Sequence, residues 1–308
     1  MTSIEIPPSA VELRTSSARS AFAMSGMPAA LFGGLFVGAG VAIATRAYLG
    51  GMTGMHAPRA IVALSGAIFA VAGLHIAING LADLRRKRVA AERAATMPGQ
   101  PWFWDYAWRT EGIGNDTTRE IVKALGFAAF MAVFLTPFHW IAFFAPDGPK
   151  LFAVGALLFD LVIVGLLVRA ARLVLMRRRY GASWLRFARF PFHPGEKVEV
   201  SLDGYGGLSA MTRLTGTLRC VQERYETRGT GKNRTTKVIC YALWSATAVA
   251  ERDRDGGFEF SFDVPIGVRT TALAERPARY WELAVNSDDV PGVDYSASFL
   301  VPVYDAQR

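Results

Sequence analysis

One stretch constrains the chain more than any other: residues 150–180 read KLFAVGALLFDLVIVGLLVRAARLVLMRRRY. From Leu151 to Val168 its one charged residue is Asp160. That run is about 27 Å long as an α-helix, close to the hydrocarbon thickness of a bilayer. Basic residues follow directly, ending with Arg177, Arg178 and Arg179. The stretch therefore predicts a membrane-spanning helix, and the chain has a different character on either side of it.

Three more apolar segments lie upstream, so the sequence predicts a transmembrane region over residues 27–179. A polar N-terminal tail (1–26) precedes it, and a polar and aromatic segment (83–123) separates the second and third spans. Pro137 is predicted to kink the third span, because its ring removes one helical hydrogen bond. The predicted spans are 27–48, 60–82, 124–145 and 151–172.

The first span carries small residues at every fourth position: Ala30, Gly34, Gly38 and Ala42. Such a row lets another helix approach closely. The neighbour is either another helix of the same chain or a second copy, so a homo-oligomer is among the expectations.

From residue 180 the hydrophobic period changes to two. Phe258, Phe260 and Phe262 alternate with polar residues, which predicts strands with one buried face. We expect a multi-domain α+β protein, in which residues 180–308 form a soluble antiparallel β-sandwich of immunoglobulin or arrestin-like kind. Pro302 predicts that the last strand is an edge or carries a bulge. The predicted strands are 184–189, 196–202, 213–226, 235–249, 257–264, 279–286 and 294–304.

The net charge of +8 lies entirely in residues 1–179, whereas residues 180–308 balance to zero. This distribution argues against nucleic-acid binding, which needs basic residues on a folded face. If both termini are cytoplasmic, fifteen Lys and Arg lie in cytoplasmic segments, against three outside: Arg46, Arg59 and Lys150. The positive-inside rule then predicts that orientation. The flanks expected at anionic lipid headgroups are Arg85, Arg86, Lys87, Arg88, Arg177, Arg178 and Arg179.

Asp160 lies near the middle of its span, where a charged side chain costs about 2.5–3.5 kcal/mol on insertion scales. Such a residue normally faces other helices and finds a partner. His139, on the neighbouring span, is the best candidate, and His75 lies deeper toward the cytoplasm. Asp160 is then either a proton or ion site or a neutral carboxyl group hydrogen-bonded across the bundle. His75 and Asn79 share a helix face, which favours an interhelical hydrogen bond or a proton or ligand path.

An aromatic segment, Pro101–Trp108, includes Trp102, Trp104 and Trp108. Amphipathic rings suit the headgroup layer, so we expect this segment along the cytoplasmic membrane interface. An aromatic ligand cage is the alternative. Sequence does not decide whether the rings meet lipid or the β domain.

Two runs resemble a family of uncharacterised bacterial membrane proteins. The first is Pro101-Trp102-Phe103-Trp104 with Trp108, Gly112 and Ile113. The second is Tyr280–Val285 followed by Pro291–Tyr295 and Phe299–Val303. The resemblance implies transmembrane helices, a C-terminal arrestin- or immunoglobulin-like β domain of unknown function, and the bacterial inner membrane. Asp105 departs from the pattern, in which a basic residue is usual.

No catalytic, cofactor-binding or metal-binding pattern stands out. Cys220 and Cys240 have no metal spacing and are predicted to be thiols, or a redox pair if they lie opposite each other in a hairpin. Residues 229–233 have a phosphate loop's Gly and Lys, but Glu226 and Asn233 occupy positions where it needs Gly and Ser or Thr. That run is predicted to be a hairpin tip.

We therefore expect a membrane-anchored interaction or scaffold protein rather than an enzyme, with anionic lipid and an unidentified protein as partners and no cofactor. The alternative is a small ion- or proton-linked transporter or channel-like protein that uses Asp160.

Overall fold

The computed structural model of this chain describes residues 10–13, 25–50, 58–115, 117–144, 150–204, 207–208, 211–228, 235–253, 256–287 and 294–306. Within these ranges the chain has the predicted two-part α+β layout, with four long helices and two antiparallel sheets. Most of the N-terminal tail, the turn at 145–149 and the hairpin tip at 229–233 lie outside the described residues.

Each of the four helices contains a window long and apolar enough to cross a membrane, with mean hydropathy between 1.9 and 2.3. The first matches the predicted span, and the others extend beyond it at one end or both. α3 is continuous through Pro137. The helices are α1 (Met27–Tyr48), α2 (Arg59–Thr96), α3 (Thr117–Phe143) and α4 (Lys150–Tyr180).

α1 and α2 meet along glycines spaced seven residues apart. Gly33 and Gly40 on α1 face Gly73 and Gly66 on α2. A Cβ atom added to Gly33 would lie 2.5 Å from the backbone nitrogen of Ala77, closer than real Cβ atoms come. Only glycine therefore permits this approach of the two backbones.

Gly34 and Gly38, which the four-residue row singled out, do not form this contact. A Cβ atom added to either would have nothing within 4 Å among the described residues. The contact is made instead by Gly33, one residue before Gly34, and by Gly40, two residues after Gly38, so it repeats every seven residues. A seven-residue step returns to the same side of a helix every two turns, which keeps two nearly aligned helices in contact over their length.

Nine strands lie within the described ranges and pair antiparallel, and seven of them correspond to the predicted ones, with ends shifted by at most three residues. They are β1 (Val11–Glu12), β2 (Gly112–Gly114), β3 (Ser183–Phe187), β4 (Lys197–Gly204), β5 (Arg213–Arg228), β6 (Thr235–Glu251), β7 (Phe258–Asp263), β8 (Arg279–Asn286) and β9 (Ser296–Val301). The five-stranded sheet has the order β1-β6-β5-β8-β9, and the four-stranded sheet has the order β2-β3-β4-β7. β9 is an edge strand that ends before Pro302, as predicted.

Both sheets contribute to one buried hydrophobic cluster. Trp281 and Leu218 from the larger sheet lie in it with Phe260 and Leu202 from the smaller one. The alternation along β7 is confirmed, since Phe258, Phe260 and Phe262 are all buried. At Gly216 an added Cβ atom would lie 2.5 Å from the Phe260 ring, so a glycine there lets this ring of the other sheet come close.

β1 and β2 come from segments that the sequence analysis placed outside the β domain. Val11 of the predicted tail pairs with Ala242, and Ile113 of the segment between spans pairs with Leu185. Strands this short carry no period that a sequence pattern could reveal. They form because longer strands offer them an edge.

The chain divides into two compact units. The β unit takes in the described residues of Met1–Ala23, Val89–Thr117 and Leu175–Arg308, and the helical unit comprises Met24–Arg88 and Thr118–Val174. The β unit is thus assembled from three separate pieces of the chain. The sequence analysis placed it in residues 180–308 alone, because strand pairing across long sequence separations leaves no local signal.

We predict that Gly33→Val destabilises the helical unit and that Gly34→Val does not. Both changes place the same β-branched residue in the same helix, but only the first one forces a side chain against a backbone. We expect Gly33→Val to lower the free energy of unfolding by about 1–3 kcal/mol, the usual cost of overpacking. Thermal unfolding of the two full-length variants in mild detergent measures the difference, and equal melting temperatures would contradict the glycine seam.

Candidate functional site

The side chains of His139 and Asp160 meet within the helical unit. His139 projects from α3 and Asp160 from α4, and His139 Nε2 lies 2.9 Å from Asp160 Oδ2. These are the two residues that the sequence analysis paired from their depth in adjacent spans. We call them the His–Asp pair.

A second contact determines which ring nitrogen carries a proton. His139 Nδ1 lies 2.9 Å from the carbonyl oxygen of Leu135, and a carbonyl oxygen can only accept. Nδ1 therefore donates, and Nε2 either accepts a hydrogen bond from the neutral carboxyl group of Asp160 or, in the imidazolium form, donates one to its carboxylate. In both forms the pair shares one proton and is neutral overall, which is the least costly state for two ionisable groups in an apolar span.

The His–Asp pair is not enclosed within the helical unit. The side chains of His139 and Asp160 are 30% and 37% exposed. Beside them α3 and α4 form an apolar groove of about 310 Å³, whose lining includes Leu135, Phe138 and Phe159. The pair is thus partly accessible from this face of the helical unit.

His75 and Asn79 bond to each other rather than to another helix. Asn79 Nδ2 lies 2.9 Å from His75 Nε2, one turn apart on α2. Among the described contacts neither side chain bonds to another helix, and a proton or ligand path through them stays a prediction. Asn79 also lines an open cavity of about 300 Å³ with Ser25 and Asp83.

The basic flanks are mostly exposed. Arg85, Arg86, Lys87 and Arg88 are all exposed at the cytoplasmic end predicted for the second span. Lys87 Nζ lies 3.0 Å from Asp83 Oδ2. In the β unit Arg178 is exposed, while Arg177 and Arg179 are partly buried and the Arg179 guanidinium lies over the Tyr180 ring. Their contact with lipid headgroups stays a prediction.

The aromatic segment packs within the β unit, against the C-terminal end of the chain. The rings of Trp102 and Trp108 lie edge-on to Tyr304, with centroids 5.9 and 6.4 Å away. Trp104 is partly exposed, as are Trp102 and Trp108. The sequence left open whether these rings contact lipid or the β domain. The rings of Trp102 and Trp108 pack against Tyr304 of the β unit.

Asp105 anchors this segment through three hydrogen bonds. Its carboxylate accepts the backbone N–H of Leu273 (2.9 Å) and of Ala274 (2.5 Å), and the hydroxyl of Tyr304 (2.9 Å). Sequence reasoning noted Asp105 only as a departure from a family pattern. An acidic residue among aromatic ones, shortly after a helix, was the one signal that could have indicated a carboxylate facing backbone donors.

Tyr304 connects the anchor to the rest of the segment. Its hydroxyl donates to Asp105 and accepts the indole N–H of Trp108 at 2.8 Å. Burial of the ring and the neighbouring Asp105 carboxylate raise the pKa of the Tyr304 phenol well above its usual value. The carbonyl oxygen of Tyr304 lies 2.8 Å from Nδ1 of His193, the histidine that the sequence placed in a loop.

The two cysteines do not lie opposite each other. Cys220 pairs with Trp244 and Cys240 with Glu223 across β5 and β6. The prediction assumed a hairpin centred near Thr230, whereas Arg228 pairs with Thr235, so the centre lies one to two residues later. Both cysteines are buried thiols, and burial raises the pKa of Cys220 to about 12. Among the described residues no cluster of His, Cys, Asp and Glu could hold a metal ion.

Comparisons with known proteins add little to this geometry. No family model and no curated protein matches the chain. Among the solved structures that match is Spo0M, a sporulation control protein from Bacillus subtilis, which is 16% identical with a TM-score of 0.24. The match covers 40% of this chain and 49%, about half, of that one. A similarity of this size supports no conclusion about fold or function.

We predict that Asp105→Asn weakens the β unit. An amide keeps one acceptor oxygen and turns an NH₂ group toward the N–H donors, so at least one charge-assisted bond is lost. We expect a loss of about 1.5–3 kcal/mol in the free energy of unfolding, measured by denaturant titration of the full chain with tryptophan fluorescence. Asp305→Asn is the control: this exposed carboxylate accepts only one hydroxyl bond among the described contacts, from Thr270. Equal losses in the two variants would contradict the anchor.

The raised pKa of Tyr304 predicts a pH dependence. A group whose pKa is higher in the folded state contributes its full stability below its unfolded pKa, about 10 for tyrosine, and loses it as the pH rises through the folded value. We therefore expect Tyr304→Phe to cost about 1–3 kcal/mol at pH 7 and less at pH 11. The same titrations at both pH values measure this, with exposed Tyr48→Phe as the control. A cost that stays constant with pH would contradict the role assigned to the phenol.

Proposed function

We propose that this protein is a membrane-anchored interaction or scaffold protein that presents a cytoplasmic β-sandwich at the inner face of a cell membrane. The observation that carries the proposal is the way the chain passes between its units. It leaves the β unit before α1, returns at the end of α2, leaves again before α3 and returns at the end of α4.

A single folded unit lies on one side of a membrane. Four crossings that begin and end in the same unit therefore agree with both termini and the segment between the second and third spans lying on one side. The basic residues indicate that this side is the cytoplasm, since fifteen of them flank it against three on the other.

The surface of the helical unit supports a lipid environment. Large apolar side chains project outward from its helices, with Leu35, Leu151 and Leu161 between 67% and 80% exposed. Helices in water would place such side chains in a core, whereas a hydrocarbon layer receives them without cost. No more than 28% of any candidate span is buried within the protein.

The β unit suits the presentation of a surface to a protein partner. Its two sheets share one core, which supports the sandwich interpretation, and the Asp105 anchor holds the segment between α2 and α3 against them. A sheet attached to spanning helices offers its edges and loops to proteins near the membrane, and strand addition is a common mode of recognition on such domains. Exposed arginines near the helix ends would keep it close to anionic lipid.

The His–Asp pair favours a second candidate function, a proton- or ion-linked membrane protein. One shared proton in a midspan pair that is about one-third exposed is the arrangement a proton site needs. A neutral His–Asp pair is equally suited to a purely structural role, as a hydrogen bond that joins α3 and α4. The proton- or ion-linked function therefore ranks second.

Affinity capture separates the two. The full chain, an Asp160→Asn variant and a chain that ends at Arg179 are purified in mild detergent from the membranes of cells that express them. We expect one protein partner at fixed stoichiometry with the full chain and with Asp160→Asn, and its loss from the shortened chain. Retention of the shortened chain in carbonate-washed membranes is the control for insertion.

A partner that stays with the shortened chain would contradict the proposal. So would a chain recovered without any partner whose proton flux, measured in reconstituted vesicles with a pH-sensitive dye, disappears in Asp160→Asn. That second result would establish the His–Asp pair as the functional site.

A further inference from the structure

The outer edge of β6 is long and nearly uncovered. β6 runs over Thr235–Glu251, and among the described residues β1 pairs with it at Tyr241 and Ala242, while Leu13 donates its backbone N–H to Cys240 at 2.9 Å. Among the described residues no other strand hydrogen-bonds to this edge. Leu243 forms a bulge, and the seven residues that follow it, Trp244–Ala250, make up what we call the open edge.

The hydrogen-bonding groups of the open edge point outward at alternate residues. Arg252 donates its backbone N–H to Thr212 on the β5 side at 3.0 Å. Because the direction alternates along an antiparallel strand, the N–H and C=O groups of Ser245, Thr247 and Val249 face away from β5. Three donors and three acceptors are thus arranged to receive a further strand.

This edge lacks the features that usually prevent strand pairing. Val238–Ala250 contains no charged residue, no proline and no glycine. The other exposed edges differ: β9 is followed by Pro302, and β7 carries Glu259 and Asp263. Natural edge strands are normally protected by charges, prolines or bulges, and here a bulge protects only the border of the open edge.

Proline interrupts the sequence that would continue β1 along the open edge. β1 is antiparallel to β6, so residues preceding Val11 would be the ones to pair with the open edge. Pro7 and Pro8 stand there, and proline has no N–H to donate to a ladder. β1 itself demonstrates that the β6 edge accepts an antiparallel strand.

We infer that the open edge pairs with the open edge of a second copy of this chain, so that two five-stranded sheets join into one ten-stranded sheet. Antiparallel pairing of a strand with itself about a two-fold axis needs a self-complementary sequence. The open edge meets this need because it is uncharged and its outward face carries Ser245, Thr247 and Val249, which are small or β-branched. A charged partner strand would find no complementary charge here. The inference rests on the sheet and is independent of the proposed function.

The test compares two proline substitutions in the full-length protein. Ser245→Pro removes an outward N–H from the open edge. Ser296→Pro makes the same change on β9, the opposite edge of the same sheet, where the N–H also points outward because Ser287 donates to Tyr295 on the inner side. Both serines are exposed, so the pair is matched in residue type, exposure and edge position.

We expect light scattering in mild detergent to show a dimer for the wild type and for Ser296→Pro. Ser245→Pro removes two hydrogen bonds per dimer, so we expect its dissociation constant to rise roughly thirtyfold. If Ser245→Pro does not fold, one added cysteine at Thr247 or at Ser298 decides, since the native Cys220 and Cys240 are buried. A short bifunctional thiol reagent should link two copies through Thr247→Cys and not through Ser298→Cys.

A monomeric wild type would overturn the inference, as would a dimer that Ser245→Pro leaves intact. A dimer lost instead in Gly34→Val would assign the contact to α1 and overturn it equally. Cross-linking of Thr247→Cys to a different protein would also overturn the inference, because the open edge would then bind that protein and not a second copy.

Discussion

The carboxylate of Asp105 is the interaction on which the β unit depends. A charged acceptor that receives two backbone N–H groups and a buried hydroxyl is held strongly, because hydrogen bonds to ions are roughly twice as strong as neutral ones. It attaches the chain between α2 and α3 to the chain around Leu273 and Tyr304. β2 follows within the same piece of chain and extends the smaller sheet at Leu185. A segment that could have been a loose connection between two helices is thereby part of a sheet.

The helical unit is held together mainly by close packing of apolar groups and not by charged hydrogen bonds. Its closest contact contains no polar side chains: Gly33, Gly40, Gly66 and Gly73 let two backbones approach, so that dispersion forces act over a long seam. Among the described residues, the polar contact from His139 to Asp160 joins α3 and α4, and it is neutral overall when one proton is shared between Nε2 and the carboxyl group. Both solutions avoid placing an isolated charge among apolar side chains.

The sheet edges of the β unit differ in how well they are protected from pairing with another strand. β2 covers β3, and β9 ends at a proline, so these edges cannot readily extend. β6 is the exception, since the described residues near the N-terminus bond to its edge only from Cys240 to Ala242, and the stretch beyond has outward hydrogen-bonding groups without charged neighbours. In a monomer, an unprotected edge of this length favours aggregation, because its N–H and C=O groups can pair with any extended chain. In an assembly the same groups can pair specifically with a partner strand.

Local pattern in the sequence determined much of this protein. Hydropathy over about twenty residues located all four helices, and the period of two located β3–β9, because both signals lie within the element itself. Depth along adjacent spans sufficed to pair His139 with Asp160. Tertiary structure alone decided the rest. β1 and β2 exist only because longer strands offer them an edge, Asp105 acquires its role from donors about 170 residues away, and the helix seam runs through Gly33 rather than Gly34. Each of these outcomes depends on which distant groups meet, and a contact between distant residues leaves no periodic trace in a single sequence.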